Sequence, residues 1–120
     1  LGLSTRVSWR GELGPGPLRQ LLEGTGLVVQ TASYEAYGMA IAEAISAGIP
    51  VVSRPAGALE GPCGDAAVIV DTDDPRKLAD AIAGLDHSGL VAAARRVAPR
   101  LPTWLDVARR FRDLLGLGLV

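Results

Sequence analysis

The sequence is short of several things, and each shortage removes a class of function. It holds one cysteine, Cys63, so no internal disulfide can form, and a lone thiol suits a reducing compartment and reads as a small side chain. No apolar run approaches the roughly 18 residues of a membrane span and no secretory leader is visible, which predicts a cytoplasmic location. A parent protein peripheral to the inner face of a membrane stays compatible with that. Excess charge of either sign is also missing: 12 lysines and arginines face 13 aspartates and glutamates, for a formal net charge of −1 and a pI near 5.8. That excludes the footprint of a nucleic-acid partner and gives no membrane contact, so any attraction for an anion must be local. The glycines of Gly11-Glu12-Leu13-Gly14-Pro15-Gly16 lack the G-x-G-x-x-G order of a dinucleotide fingerprint. The one histidine, His87, sits in a turn-like Asp86-His87-Ser88-Gly89, where a lone exposed imidazole is more often inert than catalytic. With 120 residues the chain reads as one domain at most, and its opening on Leu1 rather than methionine reads as that of a fragment.

What is present centres on Thr31 to Ser53, TASYEAYGMAIAEAISAGIPVVS. Gly38 precedes a run of strong helix formers, Met39 to Ala47, and Gly48 followed by Pro50 is a usual helix stop. Ile41 and Ile45 share a face that Ala40, Ala44 and Ala47 broaden, so the pattern predicts a helix that is apolar nearly all round and buried against a sheet. Glu43 is its only charge. A carboxylate buried there costs free energy unless something hydrogen-bonds to it, and a ligand's hydroxyls would serve. Glu35 lies in the turn leading in. The N–H groups of Gly38, Met39 and Ala40 have no acceptor inside the helix, and with the helix dipole they make a place for a phosphate.

Around this stretch the apolar runs Leu27 to Gln30, Ile49 to Val52 and Ala66 to Val70 do not alternate, as in parallel strands covered by helices on both faces. Arg6 to Arg10 reads as a fourth strand and Pro17 to Leu22 as a short helix. The fold class is therefore α/β, an open parallel Rossmann-like sheet flanked by helices. Ligands in such sheets bind beyond the carboxyl ends of the strands, where Gly11 to Gly14, Thr31 to Gly38, Arg54 to Glu60 and Asp71 to Asp74 fall. The central helix should point its N-terminus into a cleft shared with the loops at Gly11 and Gly57.

Glu35, seven residues, then Glu43, set among Gly38, Ala44, Gly48, Pro50 and Val51-Val52, resembles the donor-binding signature of retaining GT-B nucleotide-sugar glycosyltransferases of the group 1 type. The likeness extends to Val7 to Gly11, to Gly57 with Glu60, and to Pro102-Thr103-Trp104. It implies the later part of a C-terminal donor-binding domain, with the N-terminal acceptor domain of the same parent lying outside residues 1–120. By this resemblance Glu43 would hydrogen-bond the ribose hydroxyls of a nucleotide-diphosphate sugar and Glu35 would contact the sugar ring as the catalytic carboxylate. Tyr37, Gly38, Met39 and Ala40 would bind the diphosphate or sugar, and Leu13 would lie beside the base. The donor is then a substrate, with no cofactor and no metal required. The basic residues that neutralise the diphosphate would come from a loop ahead of this chain. Two other readings fit the same residues, a non-catalytic nucleotide-sugar-binding module and a non-transferase enzyme of the same fold, such as a sugar-nucleotide epimerase or a phosphorylase.

Two further features carry weaker signals. Asp71-Thr72-Asp73 has the D-x-D spacing of a divalent-metal site in the GT-A class of glycosyltransferase, but Asp74 before Pro75 predicts an N-cap with proline at the first helical position, in a helix running to Leu85. Leu90 to Val97 makes another helix, and Thr103 to Leu115 a last one capped by Thr103, whose Arg109, Arg110 and Arg112 form a solvated face.

Overall fold

Gly38 and Gly48 bracket the central helix as the sequence predicts, since both adopt left-handed backbones, at φ 95° and 77°, that most side chains avoid. The computed structural model describes residues 2–117. In chain order its elements are α1 (Pro15–Glu23), β1 (Val28–Gln30), α2 (Met39–Ser46), β2 (Val51–Ser53), β3 (Ala67–Ile69), α3 (Pro75–Ala83), α4 (His87–Val97) and α5 (Trp104–Leu114). Short 3-10 turns occupy Gly57–Glu60, Pro62–Ala66 and Ala98–Arg100.

The three strands form one parallel sheet in the order β1-β2-β3, with Val28 beside Val51 and Val51 beside Ala67. Parallel strands need crossovers on a sheet face, and α2 supplies the first. Its Ile41, Ala44 and Ile45 are buried, and they pack with Val51, Leu59, Cys63, Ala66, Ala94 and Val97 in a single core. That core lies between the sheet, α2 and α4. Burial pushes the Cys63 thiol upward, so it stays protonated and unreactive at neutral pH.

Several expectations change. Arg6 to Arg10 is not a strand: residues 7–10 carry no secondary structure and are exposed, Trp9 at 93 %. The alternation of Val7 and Trp9 with polar neighbours suits a strand, but a strand exists only with a ladder partner, and none lies beside it among the described residues. The second sheet face is covered only in part: Val68 shares a groove with Ala81 and Leu85 at the end of α3, whereas Val29 is 41 % exposed. Nor is α2 buried all round, because Glu43, Ser46 and Met39 are exposed. Glu43 therefore meets no burial cost.

The flanking helices begin where their caps put them. Asp74 accepts from the Arg76 N–H with Pro75 opening α3, and Asp86 accepts from the Gly89 N–H to start α4 three residues earlier than the apolar pattern suggests. Thr103 and Asp106 close a reciprocal capping box on α5. Both Asp86 and Asp106 are held below the ordinary carboxyl value, Asp86 chiefly by the Gly89 amide and Asp106 chiefly by the Thr103 hydroxyl. His87 is the first residue of α4 rather than part of a turn, and its Nε2 lies 2.8 Å from the Gly26 carbonyl oxygen just before β1.

Candidate functional site

The chain leaves β1 at Gln30 and reaches α2 through eight loop residues, and this loop carries Glu35, Tyr37 and Gly38 to the carboxyl end of the sheet. Glu35 folds back on the helix start: its Oε1 accepts from the Gly38 N–H at 3.0 Å. One of the three amides read from the sequence as open to a ligand is thus satisfied internally. Those of Met39 and Ala40, at the first positions of α2, have no acceptor among the described residues. Glu35 is half-buried and keeps its second oxygen for another partner.

The loop after β2 is spliced onto the same place. The Gly57 N–H donates to the Ala36 carbonyl at 3.2 Å and the Ala58 N–H to the Tyr37 carbonyl at 2.6 Å. A Cβ on Gly57 would stand 2.6 Å from the Ala36 oxygen, so the two loops can approach this closely only with glycine there. Gly57 stands out in the sequence for its place in a motif, whereas the splice itself has no signal there. Together the loops line a groove of about 540 Å³ with Ser33, Tyr34, Glu35, Arg54, Glu60 and Asp71 among its walls.

Arg54, which follows β2 directly, is the cation of this groove, and it is occupied. Its Nη2 lies 3.0 Å from Asp71 Oδ1, and its Nη1 binds Asp73. The guanidinium is largely enclosed, its side chain 18 % exposed, and it ties the end of β2 to the loop after β3. The two carboxylates of the D-x-D spacing thus hold a guanidinium, and Asp74 caps α3. Glu60 is exposed at the rim, at the end of the turn that begins with Gly57.

Glu43 faces elsewhere. It lies on the exposed side of α2, between two grooves. One of about 610 Å³ runs against α1, with Leu18, Arg19, Leu22 and Glu23 on one wall and Glu43 and Ser46 on the other. The second, of about 640 Å³, runs towards the start of α5, past Tyr37, Met39, Cys63, Leu101 and Trp104. The Ser46 hydroxyl donates to the Glu43 backbone carbonyl at 2.8 Å, and no hydrogen bond reaches the Glu43 carboxylate among the described residues. The two glutamates of the motif therefore open into different grooves on either side of the α2 N-terminus, and Tyr37 and Met39 line the passage beside Glu43.

Leu13 and Gly11 are not part of this arrangement. Leu13 is half-buried ahead of α1 and lines neither glutamate's groove. Gly11 is exposed with no atom near the position a Cβ would take, so the shared cleft includes the Gly57 loop and not the Gly11 loop. No group of three or more histidine, cysteine, aspartate or glutamate side chains that could hold a metal ion occurs among the described residues. No helix among them is long and apolar enough to cross a membrane.

Comparison with known families gives one result. A family model described as glycosyl transferases group 1 matches residues 1–87, which takes in the sheet, both glutamates and the Gly57 loop. No curated protein and no solved structure gives a significant match.

Proposed function

The chain belongs to the glycosyl transferases group 1 family, and from that premise we propose that it is the donor-binding part of a retaining enzyme that moves a sugar from a nucleotide diphosphate to an acceptor hydroxyl. The observation that carries this reading is the placement of Glu35 and the α2 N-terminus beside the Gly57 loop, beyond the carboxyl ends of three parallel strands. The acceptor, and the domain that holds it, belong to the rest of the parent.

In this reading each part of the donor has its own neighbour. The ribose lies on the outer side of α2, where the exposed carboxylate of Glu43 accepts from its hydroxyls across the groove shared with α1. The diphosphate meets the amides of Met39 and Ala40 and the positive end of the helix dipole, which stabilise the negative charge that grows as the sugar leaves. Tyr37 and Gly38 shape the passage between the two ends. The sugar ring lies towards Glu35, whose free oxygen faces the developing oxocarbenium charge while the Gly38 amide fixes its other oxygen. The reading requires no cofactor and assigns the phosphate charge to amides together with basic residues outside this chain, since Arg54 is committed to Asp71 and Asp73.

The test is product analysis with the full-length protein, an isotopically labelled nucleotide-diphosphate sugar and a mixture of alcohol acceptors. Transfer with the donor's anomeric configuration kept supports the reading. Inverted product, release of an epimerised nucleotide sugar, or phosphorolysis would each replace it with a different activity.

A further inference from the structure

The groove beside Glu35 has a charge balance that its sequence motif does not disclose. Glu35, Glu60 and Asp71 all line it, and the one cation with them is Arg54. Both ends of that guanidinium are already spent, on Asp71 and on Asp73, and its side chain is largely enclosed. To turn to a ligand carboxylate Arg54 would give up two existing partners for one, and the lining would still hold three carboxylates against one cation. The groove thus offers a ligand carboxylate acceptors where it needs donors, and offers hydroxyl and ammonium groups the acceptors they need.

Resting on the reading of this groove as the sugar end of the donor site, we propose that it selects donors whose sugar is uncharged or carries an amino group and rejects those whose sugar carries a carboxylate. The Gly57 splice fixes the backbone of this wall: the Gly57 and Ala58 N–H groups hold the start of the Glu60-bearing turn against the Glu35 loop. Arg54 is then a positioning residue that keeps the loop after β3, and with it Asp71, against the groove wall.

The experiment uses the full-length protein and a pair of donors that share one nucleoside diphosphate and differ only at C6 of the sugar, a hexose and the matching hexuronate. The base is the one whose free diphosphate binds tightest, and affinities are read by calorimetry. The hexose donor should bind at least about tenfold more tightly than the hexuronate, the size of a single unfavourable like-charge meeting. Glu60→Lys should narrow that ratio at least about threefold by reversing one wall charge, and so should raising salt from about 0.1 M to about 1 M, which shortens electrostatic reach to about 3 Å. A steric preference would not respond to salt. Equal or tighter binding of the hexuronate overturns this inference alone, as does a preference that neither salt nor Glu60→Lys alters. Failure of both sugars and of every free nucleoside diphosphate to bind overturns the donor-site reading and this inference with it.

Discussion

A methyl group added at Gly38 would meet the Ile41 Cδ1 at 2.8 Å while its backbone stayed at φ 95°. The left-handed region alone costs a side chain roughly 1–2 kcal/mol, so Gly38→Ala should destabilise the protein by about 2 kcal/mol or more. Urea unfolding should show a lower midpoint with an unchanged slope, the mark of lost stability without a changed unfolded state. Glu35 behaves differently under its two simplest substitutions. Glutamine keeps an oxygen able to accept from the Gly38 N–H, whereas alanine leaves that amide to water and should loosen the entry to α2 by about 1 kcal/mol. Glu35→Gln should therefore unfold near the wild-type midpoint and Glu35→Ala below it. If the two variants are equally stable, the carboxylate has no capping role.

Among the elements, the ones easiest to read in the sequence are those whose ends carry their own chemistry. Gly38 and Gly48 fix α2, Asp74 with Pro75 fixes the start of α3, and Thr103 with Asp106 fixes that of α5. The short runs at β1, β2 and β3 are legible because unbroken valine and isoleucine suit a parallel sheet. Two readings failed because they depend on neighbours. Arg6 to Arg10 has the composition of a strand and lacks a ladder partner among the described residues, and the apolar composition of α2 does not reveal that only Ile41, Ala44 and Ile45 turn inward. Around the groove, Glu35, Gly38 and Gly57 are marked by their motif positions, Gly11 is marked and lies apart from it, and the pairing of Arg54 with Asp71 and Asp73 has no local pattern because it joins residues 17 and 19 positions apart. The caps also set an acid limit. Asp86 and Asp106 titrate below the ordinary 3.8, and a carboxyl depressed in the folded state stabilises it above its unfolded pKa and loses that contribution as pH falls through its folded one. Helical circular dichroism should hold down to about pH 5 and fall only as the pH drops through and below the ordinary carboxyl value. In the double variant Asp86→Asn, Asp106→Asn that part of the acid transition should shrink, and an unchanged transition would show that other carboxyls control it.

At the scale of the molecule the division between the two glutamates matters most, because they open into separate grooves on either side of one helix start. In the proposed reading the acceptor and the basic residues that meet the diphosphate belong to the rest of the parent, so the purified 120-residue chain should show no sugar transfer, and measurable turnover by it would contradict that assignment. Both motif carboxylates can be changed to amides without loss of packing volume. If Glu43 holds the donor ribose as proposed, Glu43→Gln in the full-length protein removes a hydrogen bond felt equally in the ground and transition states, roughly 1.5–3 kcal/mol, and should raise the donor KM roughly 10- to 100-fold with kcat nearly unchanged. In the same proposed reading Glu35 faces charge that develops only during reaction, so Glu35→Gln should lower kcat by ~10² with a smaller effect on KM. The most direct test is steady-state kinetics of these two variants in the full-length protein, donor varied at saturating acceptor. The account predicts a KM effect for Glu43→Gln and a kcat effect for Glu35→Gln; wild-type kcat in Glu35→Gln, or the same kinetic defect in both, would contradict it.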